Sequence, residues 1–292
     1  MKKTLSVLII IIVIAIGFGL YTQVDWKQPT PTQKPLAQKE GLYERVLRTG
    51  KIRCSYASYP PYCIKDPNSG ELSGIFVDVL EKIGNKLELD IEWVEEVGWG
   101  TIFEGLESGR HDMFGTGLWQ NSSRGKRGYF SKPIFYNGVR IWVRSGESRI
   151  QTLEDINSPD IRLTVQDGAM DSVIANTDFP KAQQIAIPQL NPWSDNLLNT
   201  ISNKADVSFS ELGPIAEFLK KNPDTLKEVN IGRALRVFAN SYAFRMGEDK
   251  FKAMIDVAID ELVFEGTIDR ILKKYETVPS QFLRVTLPYK MN

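Results

Sequence analysis

The stretch from Asp112 to Pro133, DMFGTGLWQNSSRGKRGYFSKP, decides how this chain reads. It opens as a short strand, Asp112 to Thr116, passes glycines and Trp119, and reaches Arg124 through a polar Asn/Ser turn before Tyr129, Phe130, Ser131 and Pro133. An arginine just beyond the C-terminal end of a strand suits recognition of a carboxylate, because its planar fork donates two parallel hydrogen bonds. The plain alternative is a solvated arginine beside Lys126 and Arg127, and the stretch alone leaves both open.

Upstream, Lys51 to Tyr56 reads as a first strand, after an amphipathic lead-in from Leu42 to Leu47. Phe76, Val79, Leu80, Ile83 and Leu87 recur at helical spacing, and Leu89, Ile91 and Trp93 alternate with acidic residues as a second strand. Trp99 leads into a helix through Ile102, Phe103 and Leu106, which ends near Gly109. Downstream, Asn137 to Arg144, Ile161 to Val165, Gln184 to Ile187, Ala205 to Phe209 and Leu235 to Phe244 read as strands. Helices are predicted from Asp171, over Ser194 to Asn203, from Ile215, and as one long element over Asp249 to Tyr275. Alternating strand and helix imply a mostly parallel sheet flanked by helices. Ligands of such sheets sit beyond the C-terminal strand ends, where loops and helix N-termini present unpaired N–H groups. The candidates there are Tyr59, Trp99, Gly117, Trp119, Arg124, the turn Gln166 to Met170 with Gly168 and Ala169, and Ser210 with Glu211.

Composition narrows the partners. With 292 residues and 42% hydrophobic content the chain has room for two ordinary domains or one split pair, and 36 basic residues balance 36 acidic ones, so nothing favours nucleic acid. Lys2 and Lys3 precede an uncharged run from Thr4 to Val24, which reads as an export signal or a membrane anchor over residues 1–24. A retained single-pass anchor is the favoured reading, with its N-terminus in the cytoplasm and the bulk of the chain outside. Residues 25–40, rich in Pro, Thr and Gln, read as an extended tether. Cys54 and Cys63 are candidates for a disulfide in an exported protein, two free thiols being the alternative. With His111 as the single histidine, expected in solvent within the SGRHD turn, neither a metal site nor a hydrolytic triad is in view, and no cofactor is expected.

Six motifs carry a resemblance: GKIRCSYASYPPY, GELSGIFVDVLEKIGNKL, IFEGLESGRHDM, GTGLWQNSSRGKRGYFSKPIFYNGV, LTVQDGAMD and ISNKADVSFSE. In this order they are similar to the extracellular solute-binding proteins of family 3, the type II periplasmic binding proteins of polar amino acid ABC transport, over roughly residues 42 to 275. The resemblance implies a two-lobed α/β fold with two hinge crossings that closes on a ligand. Lobe one would be residues 41–142 plus 239–292, and lobe two residues 143–238. By the same resemblance Arg124 grips the α-carboxylate, Gly117 and Trp119 offer backbone contacts, and Tyr59 and Trp99 form aromatic walls. The turn of Gln166, Gly168, Ala169 and Met170 would complete the carboxylate site at a helix N-terminus. Glu211 would receive the α-amino group.

Two positions depart from the family pattern: Trp119 replaces a small hydroxyl residue, and Glu211 replaces an aspartate. The anion half of the site is therefore kept better than the amine half. The resemblance implies an exported monomer that captures a small carboxylate-bearing solute, a polar amino acid above all, and delivers it to an ABC permease. Two other classes stay open. Cyclohexadienyl dehydratases share the scaffold, with Glu211 as a general acid in an aromatic cleft. The same module also serves as a sensor or regulatory domain, although no kinase or transglycosylase segment is read in this sequence.

Overall fold

Strand and helix alternate through residues 40–286, the part of the chain that this computed structural model describes. Helix α1 (Leu42–Thr49) and strand β1 (Lys51–Tyr56) lead to a small hairpin of β2 (Ile64–Lys65) and β3 (Leu72–Ser73). There follow α2 (Ile75–Leu87), β4 (Asp90–Glu96), α3 (Ile102–Ser108), β5 (Met113–Trp119), the short α4 (Ser122–Gly125), β6 (Gly128–Phe130) and β7 (Phe135–Arg144). A second set comprises α5 (Leu153–Ile156), β8 (Arg162–Gln166), α6 (Met170–Asp178), β9 (Gln183–Ile187), α7 (Ser194–Ile201), β10 (Val207–Glu211), α8 (Leu212–Lys221) and β11 (Leu226–Glu228). Strand β12 (Arg236–Arg245) returns the chain to the first set, where α9 (Asp249–Phe264), α10 (Thr267–Tyr275) and β13 (Leu283–Arg284) complete it.

The main sheet runs β4-β1-β5-β12-β7-β10-β8-β9. Its two ends are parallel: β1 pairs with β4 and β5 on one side, β8 with β10 and β9 on the other. In the middle, the ten-residue strands β7 and β12 lie antiparallel and cross between the halves. Strand β12 pairs with β7 from Arg236 to Asn240 and with β5 from Asn240 to Phe244, so one strand serves both halves.

Each half buries its own apolar core, as expected when helices cover both faces of a sheet. The first gathers Ile52, Phe76, Leu80 and Ile83 with Phe244, Phe251 and Leu272. The second gathers Val139, Ile141, Leu163, Val165, Ile174 and Val207. Full burial of each such side chain contributes about 1.5–3 kcal/mol. The result is a two-lobed α/β fold, and the helical spacing of Phe76, Val79, Leu80 and Ile83 became the buried face of α2.

Three expectations are corrected. The long C-terminal helix breaks into α9 and α10 at Gly266, which adopts φ 73°, a left-handed conformation that ends one helix and redirects the chain. Cys54 and Cys63 are free and buried rather than bridged. They pack into different clusters, Cys54 with Ile52 and Met113, Cys63 with Tyr56 and Val77, so nearness in sequence does not bring the two sulfurs together. His111 is buried, not solvated. Asp112 accepts a hydrogen bond from the Arg53 backbone N–H at 2.7 Å and pairs with its guanidinium at 2.8 Å, which draws the turn against β1. His111 thereby lies near the Ile102 carbonyl and Glu95, and burial holds its pKa below the ordinary value.

The expected signal or anchor, 1–24, and the tether, except for its last residue, lie outside the described residues. Among the described residues no helix is long and apolar enough to cross a membrane.

Candidate functional site

Arg124 owes its position to local capping. Asn121 caps α4, its side-chain oxygen accepting from the Arg124 backbone N–H at 2.8 Å, which satisfies an N–H left open at the helix start. The guanidinium then projects across the gap between the lobes. It donates to the Trp119 carbonyl at 2.9 Å and to the Gly168 carbonyl, on the opposite wall, at 3.3 Å. No carboxylate pairs with it among the described residues, and the charge it feels is that of Asp171. Burial lowers its pKa to about 10, which leaves it a cation at neutral pH. A half-buried cation whose hydrogen bonds go to neutral carbonyl oxygens is only partly compensated, and an anionic guest would relieve that cost.

Beside it opens a cavity of about 510 Å³, counting the part that meets solvent. Of the predicted residues, Tyr59, Trp99, Gly117, Trp119, Arg124, Ala169 and Met170 line it. Tyr59 packs edge-on against Trp99 at 5.7 Å between ring centroids and against Trp193 at 5.3 Å. Trp119 lies flat on Phe238 of β12, 4.7 Å between centroids and 7° between planes. The Trp119 indole is thus packed on a crossing strand.

Three predicted residues stand behind the wall. The Gln166 amide donates to the carbonyls of Pro188, Gln189 and Asn191 and so holds the loop after β9. Gly168 turns at φ 75°, and a Cβ there would meet the Gly100 nitrogen at 2.4 Å, so only glycine lets the two walls approach this closely. Much of the turn's N–H capacity is already engaged: Gln166 donates to Asp171, Asp167 to Ile187 and Ala169 to Gln166.

Glu211 is the third. Its carboxyl accepts from the Tyr59 hydroxyl at 2.6 Å and from the Asn137 amide at 3.0 Å, and it is fully buried. Asn137 in turn donates to the Tyr62 hydroxyl and accepts from Asn240. The cluster therefore ties β10 to the two crossing strands and to the Tyr59 loop. Burial outweighs these hydrogen bonds and pushes the Glu211 pKa up to about 7.

Residue reading from sequence missed Asp171 and Trp193 on the cavity wall. Asp171, in the first turn of α6, accepts from the backbone N–H groups of Gln166 at 3.0 Å and Ser172 at 2.7 Å, and burial raises its pKa to about 7. Its sequence signal was there, an acid in a helix first turn, but that signal equally marks an ordinary dipole contact. Trp193 reads as a loop residue ahead of α7, and only the fold brings it to Tyr59.

A two-lobed α/β fold with a cavity at the C-terminal strand ends defines the class of lobe-closing binding proteins. This chain belongs to the bacterial extracellular solute-binding proteins, family 3, whose model matches residues 52–278. It is 23% identical over 234 residues to a probable amino-acid ABC transporter-binding protein of Haemophilus influenzae, covering 79% of this chain and 86% of that one. It is 25% identical over 181 residues to a cyclohexadienyl dehydratase of Pseudomonas aeruginosa, covering 60% of this chain and 65% of the enzyme. In fold it resembles the crystal structure of an ancestral amino acid-binding protein, a precursor of cyclohexadienyl dehydratase, with a TM-score of 0.70, 23% identity and coverage of 80% and 97%. Membership of the family makes this an extracytoplasmic solute-binding protein.

Proposed function

We propose that the cleft captures a small carboxylate-bearing solute, an amino acid, and that the protein delivers it to an ABC importer. The observation that carries this reading is the Arg124 guanidinium, on the cavity wall, bonded to two carbonyl oxygens and, among the described residues, paired with no carboxylate. A ligand carboxylate takes up the fork, while Tyr59 and Trp99 cover the apolar part of the guest. Closure is driven by binding, because contacts to both walls exist only when the lobes meet. The first crossing falls within Phe135–Arg144 and the second within Arg236–Arg245, with residues 41–142 and 239–292 close to one lobe and 143–238 to the other. The protein acts as a monomer, tethered to the membrane by its N-terminal segment.

Dialysed protein titrated calorimetrically with an amino acid panel should give a micromolar ligand. Arg124→Ala should weaken it by about 2 kcal/mol or more. Unchanged affinity in that variant removes the role assigned to Arg124.

A dehydratase reading has one observation of its own: an acid on the cavity wall, Asp171, with its pKa raised to about 7, beside the dehydratase relative. Incubation with prephenate or arogenate decides it. Appearance of phenylpyruvate or phenylalanine would establish an enzyme, and unchanged substrate leaves the binding reading in place.

A further inference from the structure

Among the described residues the cavity is lined by one cation, Arg124, and one acid, Asp171, and the rest of its wall is aromatic or aliphatic: Trp99, Trp119, Trp193, Val139, Ile174 and Phe209 among others. These two charges come from opposite walls, Arg124 following β5 and Asp171 following β8. They feel one another without forming an ion pair. Asp171 accepts from two N–H groups of its own turn and, at 3.5 Å, from the Asn196 amide, and keeps 7% of its surface open, whereas Glu211 is 0% exposed and does not line the cavity. Glu211 spends its two oxygens on Tyr59 and Asn137.

A guest that carries one carboxylate and one ammonium neutralises both wall charges. A third charge would lose its hydration against apolar walls with no partner there to replace it. Resting on the reading that the cleft binds an amino acid, we propose that the ligand class is amino acids with an uncharged, largely apolar side chain, with the carboxylate on Arg124 and the ammonium on Asp171. Glu211 is then a positioning residue: it holds the Tyr59 ring against Trp99 and Trp193 and does not receive the ammonium.

The test is calorimetry on the full chain. A panel of valine, leucine, methionine and phenylalanine is set against arginine, lysine, aspartate and glutamate. The best uncharged ligand should bind at least about tenfold more tightly than any charged one. A charged amino acid as the tightest ligand overturns the inference and leaves the amino acid reading standing, while no binding across the panel brings down that reading as well. The ammonium is then removed from the ligand. The deamino analogue of the best ligand should bind the wild type at least about tenfold more weakly. That penalty should shrink to less than about threefold in Asp171→Asn and persist in Glu211→Gln. Equal binding of the two ligands to the wild type overturns the assignment without any variant. So does a penalty that persists in Asp171→Asn and vanishes in Glu211→Gln. Circular dichroism confirms that each variant is folded before it is titrated.

Discussion

The end of β8 and the end of β10 each carry a buried carboxyl, Asp171 and Glu211, and burial pushes both up to about 7. Asp171 takes its short hydrogen bonds from its own turn, the Gln166 and Ser172 N–H groups five and one residues away, and a longer one, 3.5 Å, from the Asn196 amide on α7. The cluster at Glu211 draws its donors from far along the chain, Tyr59 and Asn137, which are 152 and 74 residues distant. The hydrogen bonds at Asp171 hold both of its oxygens and still leave the side chain on the cavity wall. Long-range capping uses the acid to join elements and closes it off. Position beyond a strand end is therefore not enough to bring a carboxylate to the cavity wall: Asp171 lines it and Glu211 does not.

The largest effect that would sharpen this contrast is in stability against pH. A carboxyl whose folded pKa is raised binds its proton more tightly in the folded state. Stability is then full below the unfolded pKa and is lost as pH rises towards the folded one. For Glu211, from 4.5 to about 7, and Asp171, from 3.8 to about 7, denaturation midpoints should fall between about pH 4 and pH 7. Each proton contributes on the order of 1.4 kcal/mol per pH unit within that window. His111, whose pKa burial lowers from its ordinary 6.5, works in the opposite sense, so the comparison is made against Glu211→Gln. That variant should flatten the slope, and an unchanged slope would remove the buried proton from Glu211.

Tyr59→Phe comes next. It leaves a Glu211 oxygen without its hydroxyl donor and should cost about 1–3 kcal/mol of stability in urea unfolding. A loss below about 0.5 kcal/mol would mean the Tyr59 bond does not hold the cluster. The smallest effect belongs to Gly168→Ala. A Cβ there meets Gly100 across the gap, and φ 75° strains any L-residue, so ligand affinity should fall by about 1–2 kcal/mol. Wild-type affinity in that variant would show that the walls need not approach this closely.

Much of this molecule was legible in its sequence where the causes are local. Strands and helices followed apolar periodicity, so Lys51–Tyr56 was bounded correctly and Phe76, Val79, Leu80 and Ile83 marked the buried face of α2. Arg124 was placed beyond a strand end in a polar turn, and its cap, Asn121, is only three residues away. What failed depended on distant partners. For Glu211, which the resemblance gave to the ammonium, nothing near it in sequence announces its bonds to Tyr59 and Asn137. His111 was placed in solvent because Arg53, which anchors the adjacent Asp112, lies 59 residues earlier than that aspartate. The cysteine pair looked bridgeable on spacing, while their burial in separate clusters is a property of packing.

A crystal structure of the protein with its tightest amino acid bound tests the central claim most directly. The account predicts both carboxylate oxygens within hydrogen-bonding distance of the Arg124 guanidinium and the ammonium against Asp171, with Glu211 still bonded to Tyr59. A ligand whose carboxylate lies elsewhere, with Arg124 still donating only to the carbonyls of Trp119 and Gly168, would contradict it.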